Sequence, residues 1–289
     1  MTYAAPTPRA TLLPRLSFLR LSLFAAVALA CASWAYVLNV DSNQSHSFFS
    51  AETWRRGVSF IKDLSGAGSA ATPAFAQASA WRETGRLAYQ TLAMAVLGIG
   101  IAALVALATF IFGARTLMTG DLAPYGSSAW RAAYIAARAF FTLTRSVPEL
   151  VWAMIAVFIL SPGILPGAIA LGIHNAGILG KLSAEVVEGL DPRPMRALRS
   201  SGAGRFQVLL YGVLPEALPR FTTYLLYRWE VIIRTTIVVG FVAAGGLGQE
   251  FRLAMSHFHY TTVSLILIWY LILVAAVDTA AILLRRLAR

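Results

Sequence analysis

The chain is short of cysteine, of charge and, above all, of acid. Its one cysteine, Cys31, excludes an intrachain disulfide framework and a cysteine-based zinc site. Asp, Glu, Lys and Arg make up 13% of its 289 residues, about half of the ~25% usual in soluble domains. With 58% hydrophobic residues and a mean hydropathy of +0.67, a soluble globule of 31.1 kDa would leave much apolar surface in water. Disorder is excluded as well, because disorder needs low hydrophobicity. The 13 acids face 24 Lys and Arg, a net charge of +11. A surplus of that size suits either a nucleic-acid partner or a polytopic membrane protein with basic cytoplasmic loops, and the positions of the charges decide.

Long apolar runs are plentiful. Crossing the hydrocarbon takes about 20 mostly apolar residues in a helix. Residues 21–40 and 88–113 are uncharged throughout. Residues 147–160 are apolar apart from Glu149 and are short for a span unless the turns from Ala139 join them. Residues 164–178 follow Ser161-Pro162-Gly163 and are ended by Lys181. Residues 221–244 carry Arg228, Glu230 and Arg234, and residues 262–284 contain Asp278 and stop at Arg285-Arg286. The expectation is an all-α polytopic membrane protein with about six transmembrane helices.

With the N-terminus inside, the segments 1–20, 114–146, 181–220 and 285–289 face the cytoplasm and hold 16 of the 24 basic residues, Arg9, Arg15 and Arg289 among them. The bias predicts both termini inside, as an even number of spans requires. Charge distributed over four loops on one side does not describe a nucleic-acid patch. The first span is not read as a removable signal, because its apolar run passes Cys31 through Trp34, Val37 and Leu38, too long for a signal peptide. Beyond it, Phe48, Phe49, Trp54, Val58, Ile61 and Leu64 recur at roughly helical spacing, which suits an amphipathic interfacial helix or a merely apolar outer loop. The Gly/Ala/Ser-rich stretch 65–80 reads as a connector.

Few residues could carry chemistry. Gly177-Ile178-Leu179-Gly180-Lys181 lacks the spacing of a phosphate loop and has Leu182 where a magnesium-binding hydroxyl belongs, so any nucleotide site is expected on another chain. His257 and His259 have no nearby acid or thiol to complete a metal site. His174 sits within the fourth span, as a hydrogen-bonded packing residue or a substrate ligand. Glu230 and Arg234 are spaced for an i,i+4 ion pair, while Arg228 or Arg234 could instead face a translocation path and attract an anion. Gly245, Gly246 and Gly248 suit either a bend at a gate or a plain turn between spans.

The segment between the fourth and fifth spans is the most informative. Pro192 and Pro194 end one helix and permit another. Met195-Arg196-Ala197-Leu198-Arg199-Ser200-Ser201-Gly202-Ala203 then reads as a short helix and a corner, and Leu214-Pro215 closes the unit. This is a cytoplasmic helical hairpin with six basic residues, which needs a partner to be more than a loop.

That hairpin resembles the coupling loop of binding-protein-dependent ABC importer permeases, with its pattern E-A-A, three residues, Gly, nine residues, I-x-L-P. Ala197, Gly202, Leu214 and Pro215 fall on the pattern; Arg196 replaces its Glu, Leu198 its second Ala and Gly212 its Ile. Arg145-Ser-Val-Pro148-Glu149, His174-Asn-Ala-Gly177 through Lys181, Tyr227-Arg228-Trp229-Glu230 and Gly245-Gly246-Leu247-Gly248 are similar to the phosphonate-transport permease subfamily. The resemblance covers about residues 84–285.

The resemblance implies a type I ABC importer permease fold. Residues 1–87 would be an N-terminal tail, first transmembrane helix and extracytoplasmic loop, and residues 88–289 the permease core, its coupling loop near 185–220. It implies a second permease copy in a homodimer, two cytoplasmic ATPase subunits, an extracytoplasmic substrate-binding protein and membrane lipid as partners, in a bacterial inner membrane and without nucleic acid. No cofactor or catalysis is expected in this chain; ATP and magnesium belong to the partner ATPase. Arg196, Ala197, Leu198, Gly202, Ala203, Leu214 and Pro215 would couple to that ATPase. Phosphonate or a related phosphorus oxyanion would be the cargo, with phosphate, phosphite or an amino acid such as methionine served by the same architecture. An ion-coupled secondary transporter is the alternative from another class, although its usual inverted repeats are not apparent.

Overall fold

The computed structural model describes residues 18–40, 50–67, 72–118 and 128–287. Arg9, Arg15, Phe48, Phe49, Arg289 and part of the expected connector lie outside them. All regular structure among the described residues is helical. The chain divides at Ile61/Lys62 into two units.

The first unit contains α1 (Phe18–Val40) and most of α2 (Ala51–Leu64). Side chains of α1 are exposed on every face along their described length, the pattern of a helix apolar all round whose solvent is lipid. The outer segment does form a helix. In α2, Trp54, Val58 and Ile61 follow one face, and an Arg56–Glu52 pair one turn apart supports its first turns.

In the second unit the longest helix is α3 (Ala78–Gly113), and its most extensive neighbour is α6 (Ile164–Glu188). They meet through small residues: Ala95, Gly98, Ala102 and Ala106 on α3, Ala168 and Gly172 on α6. Small side chains let two backbones approach, which is how helices pack where no water drives them together. Around this pair lie α4 (Ser128–Ser146), α5 (Glu149–Leu160), α8 (Leu214–Val239) and α10 (Tyr260–Leu287); α7 (Pro192–Ser200) and α9 (Gly246–Ser256) cap the ends of α6 and α8.

Among the described residues three helices, α1, α3 and α10, are long and apolar enough to span a membrane alone. Two further spans exist only as bent pairs: α4 with α5, broken by 93°, and residues 205–242 with α9, bent by 50°. The expected third span is therefore not one rod. Pro148 has no N–H to donate and biases Val147 out of the helical region, and α5 starts afresh behind it. The helix of the fourth span runs on past Lys181 to Glu188. Pairing of Lys181 with Glu185 at 3.3 Å, and of Arg138 with Glu188, lets α6 carry charge for two further turns. At 25 residues α6 is long enough to cross, and most of its residues are buried against protein.

Leu214-Pro215 does not close the hairpin either. The chain is helical from Arg205, widens into a π-type turn over Val208–Val213 and enters α8 with Pro215 in its first turn. The wider turn sits where proline would otherwise collide with the carbonyl one turn earlier.

Candidate functional site

A polar group lies where α5, α6 and α8 meet. The break at Pro148 places Glu149 in the first turn of α5, the end of a helix that favours an acid. His174 and Asn175 are consecutive on α6. Asn175, 2% exposed, donates Nδ2–H to the Leu171 carbonyl at 2.7 Å, which fixes its amide. Its Oδ1 accepts both Nε–H of Arg228, at 2.8 Å, and an Nη2–H of the same guanidinium. His174 donates Nδ1–H to the Val147 carbonyl at 3.0 Å and brings Nε2 within 3.3 Å of a Glu149 oxygen. Trp152 bridges the break by donating Nε1–H to the Thr144 carbonyl at 3.1 Å. Arg228 and His174 thus belong to one site.

Arg234 and Glu230 do not join it, and the ion pair expected between them is not formed. Glu230 pairs with Arg285 at 2.5 Å and Arg234 with Asp278 at 2.9 Å. Both partners come from α10, which runs antiparallel to α8 along this face. Asp278 and Arg285 are two turns apart on α10, and each offers an opposite charge across the interface. Tyr270 reinforces the contact by donating to the Arg234 carbonyl at 3.1 Å.

At one end of α8 stands the hairpin. Asp191 caps α7 by accepting the Arg193 backbone N–H at 3.0 Å and pairs with the Arg193 side chain at 2.9 Å. The Arg193 amide, then its guanidinium, hold the Asp191 carboxyl below its ordinary value of 3.8. Met195, buried, and Leu198 pack with Val208 and Val213 onto Phe110, Val186 and Val187 at the ends of α3 and α6. Arg196, Ala197 and Arg199 face outward. Gly202, at φ +86°, ends α7: its N–H donates to the Arg199 carbonyl, and Ala203 N–H to the Leu198 carbonyl, each at 3.0 Å. This is the paired Schellman closure, with glycine at its left-handed position. Leu214 and Pro215 lie one helical stretch further on, in the start of α8.

At the other end, Gly245 (φ +84°) and Gly246 (φ +67°) make the 50° bend into α9. The Leu247 N–H donates to Thr91 Oγ1 of α3 at 2.9 Å. Gly248 crosses Gly240 so closely that a Cβ added to Gly240 would stand 2.6 Å from the Gly248 Cα. The three glycines read from the sequence therefore share one bend.

Among the described residues no group of three or more His, Cys, Asp or Glu converges; His257 and His259 merely stack, centroids 5.9 Å apart. The residue that sequence reasoning missed is Asn175. Its signal was an amide beside His174 in the interior of an apolar run, where an unpartnered polar group is costly.

Membrane-length helices, two of them broken, with a polar group between them and a helical hairpin beyond them, define a multi-pass membrane protein of the permease kind. Residues 126–289 match the family of inner membrane components of binding-protein-dependent transport systems, and the chain belongs to that family. It is a transport component, with the fold of a type I ABC importer permease. It is 36% identical to a phosphite transport system permease of Stutzerimonas stutzeri, over 91% of this chain and 86% of that one. It is also 36% identical to a phosphate-import permease of Mycolicibacterium smegmatis, over 70% of this chain and 36% of that one. Its fold is similar to that of an inward-facing methionine ABC transporter, with a TM-score of 0.58 at 22% identity, over 71% of this chain and 95% of that one.

Proposed function

We propose that this chain is the permease of an ATP-driven importer for phosphonate or a closely related phosphorus oxyanion such as phosphite or phosphate. The phosphite and phosphate relatives support the substrate class. The observation that carries the reading is the contrast between two arginines of one helix. Arg234 is paired with Asp278 at 2.9 Å, whereas Arg228 is hydrogen-bonded to a neutral amide, and Glu149, the acid that acts on it, is placed against His174.

In this reading residues 88–289 form the permease core and residues 1–87 an attached span and outer segment, with α2 lying in the interface and both termini in the cytoplasm. Two permease copies enclose the path. The face of α7 bearing Arg196, Ala197 and Arg199, with Leu198, Gly202 and Ala203 shaping it and Leu214 and Pro215 joining it to α8, docks in a groove of a cytoplasmic ATPase. ATP and magnesium act there, and this chain contributes no covalent chemistry. An extracytoplasmic binding protein delivers the cargo, ATPase closure moves the hairpin as a rigid unit, and the bend at Gly245, Gly246 and Gly248 serves as a gate.

The test is uptake of labelled phosphite, phosphate and methylphosphonate by the assembled importer in proteoliposomes. Arg228→Ala is expected to lower uptake about tenfold or more, the worth of a charge-assisted hydrogen bond, with assembly intact. Arg234→Ala is expected to impair assembly instead, because it strands Asp278. Poor assembly of Arg228→Ala with normal residual uptake, or no wild-type uptake of any of the three anions, refutes the reading.

A further inference from the structure

Arginine carries five N–H donors, in a planar fork. In Arg228 two of them, on Nε and Nη2, go to the single oxygen Oδ1 of Asn175. The other three, two on Nη1 and one on Nη2, have no partner among the described residues, and Arg228 is only partly buried, so that edge is open to a ligand. A donor left unsatisfied in a membrane span is expensive. Three on one fork are matched in number by the three terminal oxygens of a phosphonate or phosphate group, which accept such donors two at a time.

Asn175 is itself immobilised. Its Nδ2 is committed to the Leu171 carbonyl within α6, so its oxygen, not its nitrogen, faces the guanidinium. An amide is the chemically apt anchor here. It accepts two hydrogen bonds without bringing a negative charge, whereas an aspartate in the same place would discharge Arg228 as Asp278 discharges Arg234.

The neighbouring acid, Glu149, is placed against His174. His174 Nδ1 faces a carbonyl, which can only accept, so Nδ1 carries a hydrogen. Its Nε2 lies 3.3 Å from a Glu149 oxygen, and Glu149 in turn acts electrostatically on Arg228.

We infer that Asn175 is a positioning residue for oxyanion passage: it grips one edge of the Arg228 fork and presents the other edge, still charged, to the phosphorus oxyanion. This inference rests on the importer reading above and assigns its intramembrane anion contact.

The test uses the assembled importer and inorganic phosphate as probe. Phenylglyoxal modification of Arg228, followed by mass spectrometry, reports whether the free edge is accessible and whether phosphate shields it. In the wild type phosphate is expected to protect Arg228. In Asn175→Asp, which keeps the size, gives up the bond to Leu171 and adds a charge to the tie with Arg228, the phosphate concentration for half-protection is expected to rise about tenfold or more, with uptake falling in parallel. A purely structural tie between α6 and α8 predicts the opposite, assembly and uptake at wild-type levels, and that result overturns the inference. Absence of wild-type protection overturns it too, even where uptake of phosphite, phosphate or methylphosphonate shows that the importer reading stands. Conversely, protection that depends on Asn175 in an importer that transports none of the three upholds the inference and refutes the cargo. The wild-type protection decides the matter should Asn175→Asp assemble poorly.

Discussion

The helical stretch that ends in α8 is bounded by a glycine corner on each side, and the two corners are built on different physics. Gly202 and Gly245 have nearly the same backbone angle, φ +86° and +84°. Around Gly202 there is open space: a Cβ placed there meets nothing within 4 Å. Beside Gly245 the chain is jammed, because Gly248 lies against the backbone of Gly240 and an added Cβ would overlap the Ile237 carbonyl. One corner is specified by conformation alone, the other by contact. The hairpin can therefore keep an outward face of Arg196, Ala197 and Arg199 with little consequence for folding, as a surface for a partner requires. The bend has no such freedom, and before it Glu230 and Arg234 are paired with Arg285 and Asp278 across helices.

The largest expected effect is at the jammed corner. Gly248→Ala drives a methyl into backbone on two sides, with no flexible side-chain end to yield, so the bend must open or α9 must move off α3. A loss of about 3 kcal/mol or more is expected, at the upper end of overpacking costs. The measurement is thermal stability and yield in detergent, with Gly204→Ala in the hairpin as reference, where the nearest atom to an added Cβ is Gln207 Oε1 at 3.6 Å. Equal melting temperatures for the two variants would erase the distinction between the corners.

Gly202→Asp should cost less stability and more function. The left-handed conformation costs an ordinary residue about 1–2 kcal/mol, and Asp and Asn tolerate it better than most. The fold is expected to survive, while the closing turn of α7 shifts against Arg199 and Arg205, and substrate-stimulated ATPase activity of the assembled importer is lost. Gly202→Asn should fall between the two. Undiminished stimulation in Gly202→Asp would remove the hairpin from the coupling role.

How far these features were legible follows from how local their causes are. The spans at residues 21–40, 88–113 and 262–284 are visible because a membrane helix is a one-dimensional signal, a run long enough to cross. The hairpin is visible for a related reason: Pro192, Gly202 and Pro215 act on their own backbone. What escaped was decided between helices. That α6 runs on past Lys181, which pairs with Glu185, is invisible along a hydropathy trace. Glu230 and Arg234 looked like a pair because they share a face of α8, yet Asp278 and Arg285, some fifty positions later, hold the partnership. Residues 147–160 looked like a short span to be lengthened from Ala139, and the 93° bend at Pro148 that brings Glu149 to His174 was not visible. Asn175 shows locally only as an amide beside His174 in an apolar run; its role arises when α8 delivers Arg228.

The finest difference between the two corners is electrostatic. Asp191 caps α7 with a carboxylate, whereas α9 starts at Gly245 with no side-chain cap and no acid in its first turn. The Arg193 N–H and guanidinium favour the ionised form of Asp191, so its folded pKa lies below the ordinary value. A depressed carboxylate pKa means stability that is fully present above the unfolded-state value and is lost as the pH falls through the folded one. The α7 cap should thus be complete at neutral pH and weaken only below the ordinary aspartate value of 3.8. Amide exchange in α7, corrected for the intrinsic rate, is expected to speed up on acidification through that range while the first turn of α9 stays unchanged. Asp191→Asn, which retains the acceptor oxygen and removes the charge, should flatten the profile of α7 without moving the global melting temperature. A pH response of equal size at both ends of the stretch would mean that acid loosens the whole bundle and that the cap has no part in it.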